Sequence, residues 1–585
     1  MSRVNDEIAD LLTEYAELLQ ITGGDAFRAR NYEKAAKSIA GYSGDVGDLD
    51  EAGLRKIPGV GKSIATKIVQ YRQSGTISQL DELRAKIPDG VRAMTKIPAL
   101  GPKRAYQLYA DLGISSVDEL EAAIDQGRLR DLRGFGAKSE EKLSRGIEIA
   151  RSTGQRVPID VAAEIAGRVV AVIGALPGCE RCEYAGSLRR FRETIGDVDI
   201  LAAASESGPL MQALADLPEV ESVVARGDTK TSVRISTERA GRAGSIQVDL
   251  RVVPADCWGA ALQYFTGSQA HNVAVREIAV RKKLKLSEYG LFDAETGDLI
   301  VSGTEEDVYR QLGLDWVPPP MREHNGEVQL ALKHQLPELI QVHDIKGDLH
   351  SHTNLTDGVG TLAEMVTAAR ARGYAYFAIT DHAPNLFMQR MTLEKMLEQR
   401  AQVRDLESKL AAGGGQPVTL LHGTELNIAP DGSVDWPEDI LAGFDLCVAS
   451  VHSHFDQPRA EMTRRFIRAC ENPHVHVIGH PTARRLGRRG PVDVDYTELF
   501  LACARTGTAL EVNSQPNRLD LPSDHIKAAR DAGVKFAIDT DSHAVAALAY
   551  LRYGVGTAQR GWLTPDDVIN AWPLDRLRQF LAKSG

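Results

Sequence analysis

Half of this 585-residue chain is almost without histidine: only His271 precedes residue 320, and the other fourteen follow it. Imidazole chemistry therefore belongs to the C-terminal part. Cysteine is scarce too, six in all. Cys179 and Cys182 form a lone C-x-x-C, which excludes a disulfide framework or a zinc knuckle. No charged-then-apolar leader opens the chain and no run of eighteen apolar residues occurs, so a soluble cytoplasmic protein with no membrane contact is expected. Net charge is −11, and a basic total is absent. That does not exclude nucleic acid, because carboxylates that hold metals carry charge the metals cancel, and a local basic footprint matters more than the sum.

The length calls for several domains. Up to residue 155 the pattern is helical, and one phrase recurs: LRKIPGVGKSIATKIV at 54–69, MTKIPALGPKRAYQLY at 94–109 and LRDLRGFGAKSEEKL at 129–143. Each copy predicts a helix end, a tight turn reaching Gly61, Gly101 or Gly136, and a helix with a basic start. Such turns offer backbone N–H groups to DNA phosphates without reading bases. Ala99 stands where the first copy has Gly59, marking a weaker phosphate site. Lys67, beside Lys62 on the helix leaving the first copy, is an amine suited to a Schiff base with an abasic sugar.

The stretch 184–200, YAGSLRRFRETIGDVDI, reads as a Gly-Ser turn, a basic pair and a strand. Asp197 and Asp199 are two apart, so on a strand they share a face. Adjacent carboxylates repel unless a cation neutralises them. Asp249, in IQVDLRVV, offers a third carboxylate, and Gly186-Ser187 with Arg189-Arg190 suit phosphates. Together they fit metal-assisted nucleotidyl transfer. Lys230 falls in a polar turn, facing nucleic acid or solvent. Further on, Tyr264-Phe265 precede a Thr-Gly-Ser turn and a helix carrying Arg276, followed by Lys282, Lys283 and Lys285. The Pro-rich stretch from Trp316 has few apolar anchors and predicts a linker over 318–343.

Beyond it, apolar strands repeatedly end in metal-type ligands: His350, His352 and Asp357, then Asp381 and His382, Glu425, His452 and His454, His480, Asn513, and finally Asp541 and His543. A ligand at the C-terminal end of each strand, followed by a helix, is how β/α barrels place chemistry.

In order, GSLRR, DVDI, VDL and YFTGS resemble the palm and fingers of family X DNA polymerases, the DNA polymerase beta group, and the upstream repeats resemble their helix-hairpin-helix region. The resemblance implies two-metal nucleotide addition. Asp197, Asp199 and Asp249 would be metal ligands, Ser187 and Arg190 would hold the triphosphate, and Tyr264, Phe265 and Gly267 would lie at the nucleotide sugar. It maps a lyase lysine onto Lys67, with Ser63 standing where the vertebrate enzyme is basic. The C-terminal pattern resembles the PHP family, whose trinuclear site implies His350, His352, Glu425 and Asp541 on one ion, Glu425, His452 and His480 on a second, and Asp357, His382 and His543 around a third. Mixed nitrogen and carboxylate ligands favour Mn²⁺ or Zn²⁺ there over the Mg²⁺ or Mn²⁺ of the palm.

The expected organisation is a helical lyase-like region 1–85, helix-hairpin-helix 86–155, an α+β nucleotidyltransferase palm with fingers 156–317, a linker 318–343, and a distorted β/α barrel 344–580. The expected function is a monomeric, nucleoid-associated DNA polymerase that fills short gaps in repair from deoxynucleoside triphosphates. It carries a 3′–5′ exonuclease, with abasic-site or 3′-end processing as further activities. Two other readings stand beside it: a phosphoesterase whose palm only holds DNA, and a DNA-end scaffold with both centres empty.

Overall fold

The three repeated phrases fold into three copies of one turn. Val60 N–H donates to Ile57 O, Leu100 to Ile97 O and Phe135 to Leu132 O, each at 3.0 Å. Gly61, Gly101 and Gly136 then accept from the N–H groups three and four residues on. Gly61 caps helix Lys62–Ser74 and Gly101 caps helix Pro102–Leu112, neither with a side-chain acceptor on the exposed amides. The computed structural model describes residues 3–583 except 22–25, 41, 43–44, 96, 98–99, 131, 133, 137–138, 145, 148–155, 238–243, 387–390 and 415–416. Ala99 lies outside them. The expected boundary at 85/86 is not a break in packing. One apolar core runs from Ile8 to Ile147, and Glu14 in helix Arg3–Ile21 pairs with both Arg84 and Arg92.

The palm is a five-stranded sheet of β1 (Cys179–Tyr184), β2 (Asp197–Ala204), β3 (Val220–Arg226), β4 (Lys230–Ser236) and β5 (Ser245–Val253), in the order β1-β2-β5-β4-β3. Only the β2–β5 pair is parallel, and its register sets Asp199 opposite Asp249. Alternation along β2 does the rest. Val198, Ile200, Ala202 and Ala204 pack with helix Ile159–Gly174 on one face. Leu201 and Ala203 pack with helix Trp258–Thr266 on the other, the face that carries the aspartates.

Residues 318–343 are not a free linker. Met321, Val328, Ala331 and Leu339 are buried with Val275, Tyr309 and Leu312. Arg322 is wholly buried, donating from Nη1 to Glu305 Oε1 at 2.6 Å and from Nε to Val317 O at 2.7 Å. Glu327, also buried, meets His271 Nδ1 at 2.6 Å. The buried Arg322–Glu305 ion pair, the buried Glu327–His271 hydrogen bond and widely spaced apolar anchors hold this segment where its proline and polar content suggested none.

The C-terminal part is a near-closed barrel of seven parallel strands in sequence order: β6 (Gly347–Asp348), β7 (Tyr376–Ile379), β8 (Thr419–Asn427), β9 (Leu446–Ser450), β10 (Val477–Ile478), β11 (Ala509–Asn513) and β12 (Phe536–Asp539). First and last strands meet through Leu349 N–H to Asp539 Oδ1 and His352 N–H to Ser542 O, both 2.8 Å. Among the described residues no helix is long and apolar enough to cross a membrane.

Two candidate metal centres

The palm centre follows from the β2–β5 register. Asp197, Asp199 and Asp249 bring carboxylate oxygens within 4.8 Å of one another. Asp199 is pushed up to about 7, by burial first and then by the charges of Asp197 and Asp249. Burial pushes Asp249 the same way, but hydrogen bonds from Lys230, Ser232 and Gln247 outweigh it and leave it below its ordinary value. Lys230 Nζ stands 2.7 Å from Asp249 Oδ2, so this lysine reaches the acids while its side chain stays partly in solvent. Crowded carboxylates answered by one lysine are short of positive charge, and oxygen donors suit a hard divalent cation.

The Gly-Ser turn is fitted to those acids. Gly186 has φ +60°, and a Cβ on it would lie 1.9 Å from Asp199 Oδ2. Only glycine brings the turn that close. Ala185 N–H binds Asp199 O at 2.8 Å. Ser187 Oγ is buried with no hydrogen-bond partner among the described residues, a donor left available to a ligand. The basic pair divides: Arg189 forks onto Glu305 with both contacts at 2.9 Å, a structural role. Arg190 donates from Nε to Glu323 Oε1 at 3.1 Å and from Nη1 to Thr266 O. Gly267, at φ +68°, would bring a Cβ to 3.2 Å from Arg190 Nη1. Tyr264 and Phe265 stand edge to face at 5.1 Å, and Arg251 covers the Phe265 ring at 4.8 Å.

The barrel centre gathers its ligands at the strand ends. Glu425, wholly buried, is the hub. Its Oε1 is 3.1 Å from the Nε2 atoms of both His452 and His480, and its Oε2 is 2.9 Å from His382 Nδ1 and 3.5 Å from His350 and His352 Nε2. Asp541 Oδ1 lies 3.3 Å from His352 Nε2, and Asp357 lies 3.4 Å from His382 and 3.2 Å from His543. Ligand atoms within 4.8 Å of one another form three overlapping groups: His350, His352 and Asp541; His382, Glu425 and His452; and His352, Asp357, His382 and His543. His352 and His382 are thus shared between groups that the PHP resemblance drew as separate sets. Burial alone would raise Glu425, yet His452, His382 and His350 hold it well below the carboxylate range. His352 Nδ1, 3.9 Å from Asp357 Oδ1, is buried without a hydrogen-bond partner, as a nitrogen donor awaiting a cation would be.

Several supporting residues escaped the sequence reading. Glu511 Oε1 takes His350 Nδ1 at 2.6 Å, while its Oε2 accepts from His480 N–H and Asn513 Nδ2. Asn427 Oδ1 meets His452 Nδ1 at 2.7 Å. Such partners fix which imidazole nitrogen faces the centre. A signal for Glu511 existed: it lies two before Asn513 on β11, hence on the same face. Asp381 accepts from Thr353 N–H, Thr353 Oγ1 and Gln399 Nε2, and so fixes the loop after His352. His454 is exposed, its ring 3.0 Å from the Oγ of its neighbour Ser453.

Lys67 is buried, unlike the exposed Lys62. Its Nζ sits 3.2 Å from Ser63 Oγ and within 5.7 and 5.9 Å of the Tyr15 and Tyr32 ring centres. A pocket beside it is lined by Arg28, Tyr32, Arg55, Lys56 and Ser63.

Four stretches of the chain match known sequence families. A helix-hairpin-helix domain matches residues 3–77, a SAM-like helix-hairpin-helix tandem 91–148, the DNA polymerase beta thumb 261–323, and the PHP domain 348–515. The thumb match takes in Arg322 and Glu323, beyond the expected end at 317. These matches define a polymerase-type nucleotidyltransferase fused to a PHP domain. The DNA polymerase/3′-5′ exonuclease PolX of Bacillus subtilis (strain 168) is 34% identical over 579 residues, 99% of each chain. The chain belongs to that PolX family. DNA polymerase lambda of Rattus norvegicus is 27% identical over 51% of this chain and 53% of its own. A probable phosphatase of Thermoanaerobacter sp. (strain X514) is 26% identical over 40% of this chain and 93% of its own.

Proposed function

We propose that this chain is a gap-filling DNA repair polymerase joined to a 3′–5′ exonuclease. The observation that carries the reading is the convergence of Asp197, Asp199 and Asp249 on a glycine turn whose Ser187 hydroxyl lacks a partner. In this proposal the three aspartates hold Mg²⁺ or Mn²⁺, which when bound supplies positive charge against the charge developing at phosphorus. Ser187 donates to a triphosphate oxygen, and Arg190 gives its Nη2 to the same group. Tyr264, Phe265 and Gly267 bound the space for the nucleotide sugar. The hairpin amides at Gly61, Gly101 and Gly136 hold the DNA backbone without selecting bases.

In the barrel, His350, His352, Asp357, His382, Glu425, His452, His480, Asp541 and His543 would hold up to three Mn²⁺ or Zn²⁺ ions, which when bound supply Lewis acidity towards a phosphodiester. Glu511 and Asn427 keep protons on the Nδ1 atoms of His350 and His452, so that both Nε2 lone pairs face the centre. We further assign Lys67, between two tyrosine rings beside a basic pocket, as the amine for abasic-sugar processing. The proposed setting is a monomer on chromosomal DNA in the cytoplasm.

The test is gapped DNA with a labelled 3′ end, incubated with and without nucleotides. Asp199→Ala abolishes extension and leaves degradation, and His352→Ala does the reverse. Degradation lost together with extension in Asp199→Ala refutes two separate centres. Phosphate release without extension by the wild type leaves only the phosphoesterase.

A further inference from the structure

The phosphate-holding turn of the palm is also gripped from outside the polymerase half. Helix Leu551–Arg560 of the barrel ends in Arg560, whose Nη1 donates to the backbone oxygen of Arg190 at 2.7 Å and to Glu323 Oε1 at 2.9 Å. The same Oε1 accepts from Arg190 Nε at 3.1 Å. One carboxylate oxygen is thus shared by the guanidinium assigned to the triphosphate and by one from the other domain. The side chains of Arg190, Glu323 and Arg560 are 13%, 16% and 7% exposed, so solvent screens them little. One turn earlier on the helix, a Cβ on Gly556 would fall 2.0 Å from the Phe191 ring, and this glycine lets the helix reach the turn.

The arrangement has an electrostatic consequence. Arg190 and Glu323 alone form a neutral pair, and an incoming triphosphate would compete with the carboxylate for the guanidinium. Arg560 on Oε1 and Arg192, whose Nη1 lies 3.7 Å from Oε2, leave the cluster net positive and divide the hold of the carboxylate on Arg190. The bond to the Arg190 carbonyl fixes where that side chain starts.

We infer that Arg560 of the barrel is a positioning residue for nucleotide addition, holding Arg190 at the triphosphate through Glu323 and the Arg190 carbonyl. The inference rests on the assignment of Arg190 to the triphosphate, and the experiment separates the two.

With the full-length protein on gapped DNA, nucleotide titrations give KM and kcat for wild type, Arg190→Ala, Arg560→Ala, Arg560→Lys and Glu193→Gln. Arg560→Ala raises the nucleotide KM about tenfold with a smaller change in kcat, while Mn²⁺-dependent degradation of single-stranded DNA is unchanged. Arg560→Lys keeps the charge but not the guanidinium fork, and falls between Arg560→Ala and wild type. Glu193→Gln breaks a different contact between the same domains, that of Glu193 with Arg484 at 2.6 Å, and leaves KM as in wild type. An unchanged KM in Arg190→Ala refutes the underlying assignment. A raised KM there with an unchanged KM in Arg560→Ala refutes the positioning role alone. An equal rise in Glu193→Gln, or joint loss of extension and degradation in Arg560→Ala, also overturns it, because domain docking in general would then be responsible.

Discussion

The palm and barrel centres gather anionic ligands with opposite chemistry. The palm crowds three carboxylates around one another with Lys230 as the near cation, and Asp199 is pushed up to about 7 by burial and by its acidic neighbours. The barrel wedges each carboxylate among imidazoles, so Glu425 and Asp541 stay well below the carboxylate range although both are buried. In one centre the missing charge must come from outside, and in the other the chain itself supplies much of the compensation. The palm acids are thus left to an outside cation, on the proposed reading, while the barrel carboxylates are compensated by the imidazoles of the chain itself.

The largest break in that comparison is expected at Gly186. Gly186→Ala puts a methyl group where Asp199 Oδ2 lies 1.9 Å away, in a backbone conformation that disfavours side chains. The carboxylate must move, and a displacement of that order costs about a hundredfold in extension, read as single-nucleotide incorporation. Degradation by the barrel should remain within about twofold. A smaller effect is expected at the barrel support: Glu511→Gln leaves every direct ligand in place but weakens the orientation of His350. Metal retention after dialysis and nuclease rate should fall about 10- to 100-fold, with extension unchanged. Full metal retention in Glu511→Gln would show that the imidazoles hold their geometry without it.

Much of both sites is legible in local pattern. Asp197 and Asp199 two apart on a strand, and histidines at the ends of apolar strands, are short-range signals tied to period-two geometry. What escaped depends on contacts distant in sequence. Lys230 reads in the sequence as part of a polar turn without distinctive neighbours, and only the antiparallel pairing of β4, which it opens, with β5 brings it to Asp249. Residues 318–343 looked like a linker because they open on a run of prolines and their apolar anchors are spread among polar residues, yet Arg322 is buried through Glu305, seventeen positions away. The contact of Arg560 with Arg190 spans 370 positions. No local periodicity announces such a pairing.

The smallest expected effect tests whether the palm acids are truly short of cations. The folded-state pKa of Asp199, about 7, lies above its ordinary 3.8. Between those values the folded protein binds more protons than the unfolded chain, so stability falls as pH rises through that window and stays lower above it. In EDTA, Asp199→Asn removes the ionisation and should stabilise the palm by about 1–2 kcal/mol at pH 8 relative to wild type, with little difference at pH 4. Saturating Mg²⁺ should reverse the ranking, because the wild-type carboxylate then gains a ligand that the amide lacks. Thermal unfolding followed at pH 4 and pH 8, with and without the cation, provides the check. Equal stabilities in EDTA at pH 8 would mean that Lys230 and nearby arginines already neutralise the acids, and the contrast with the barrel would then lie in burial alone.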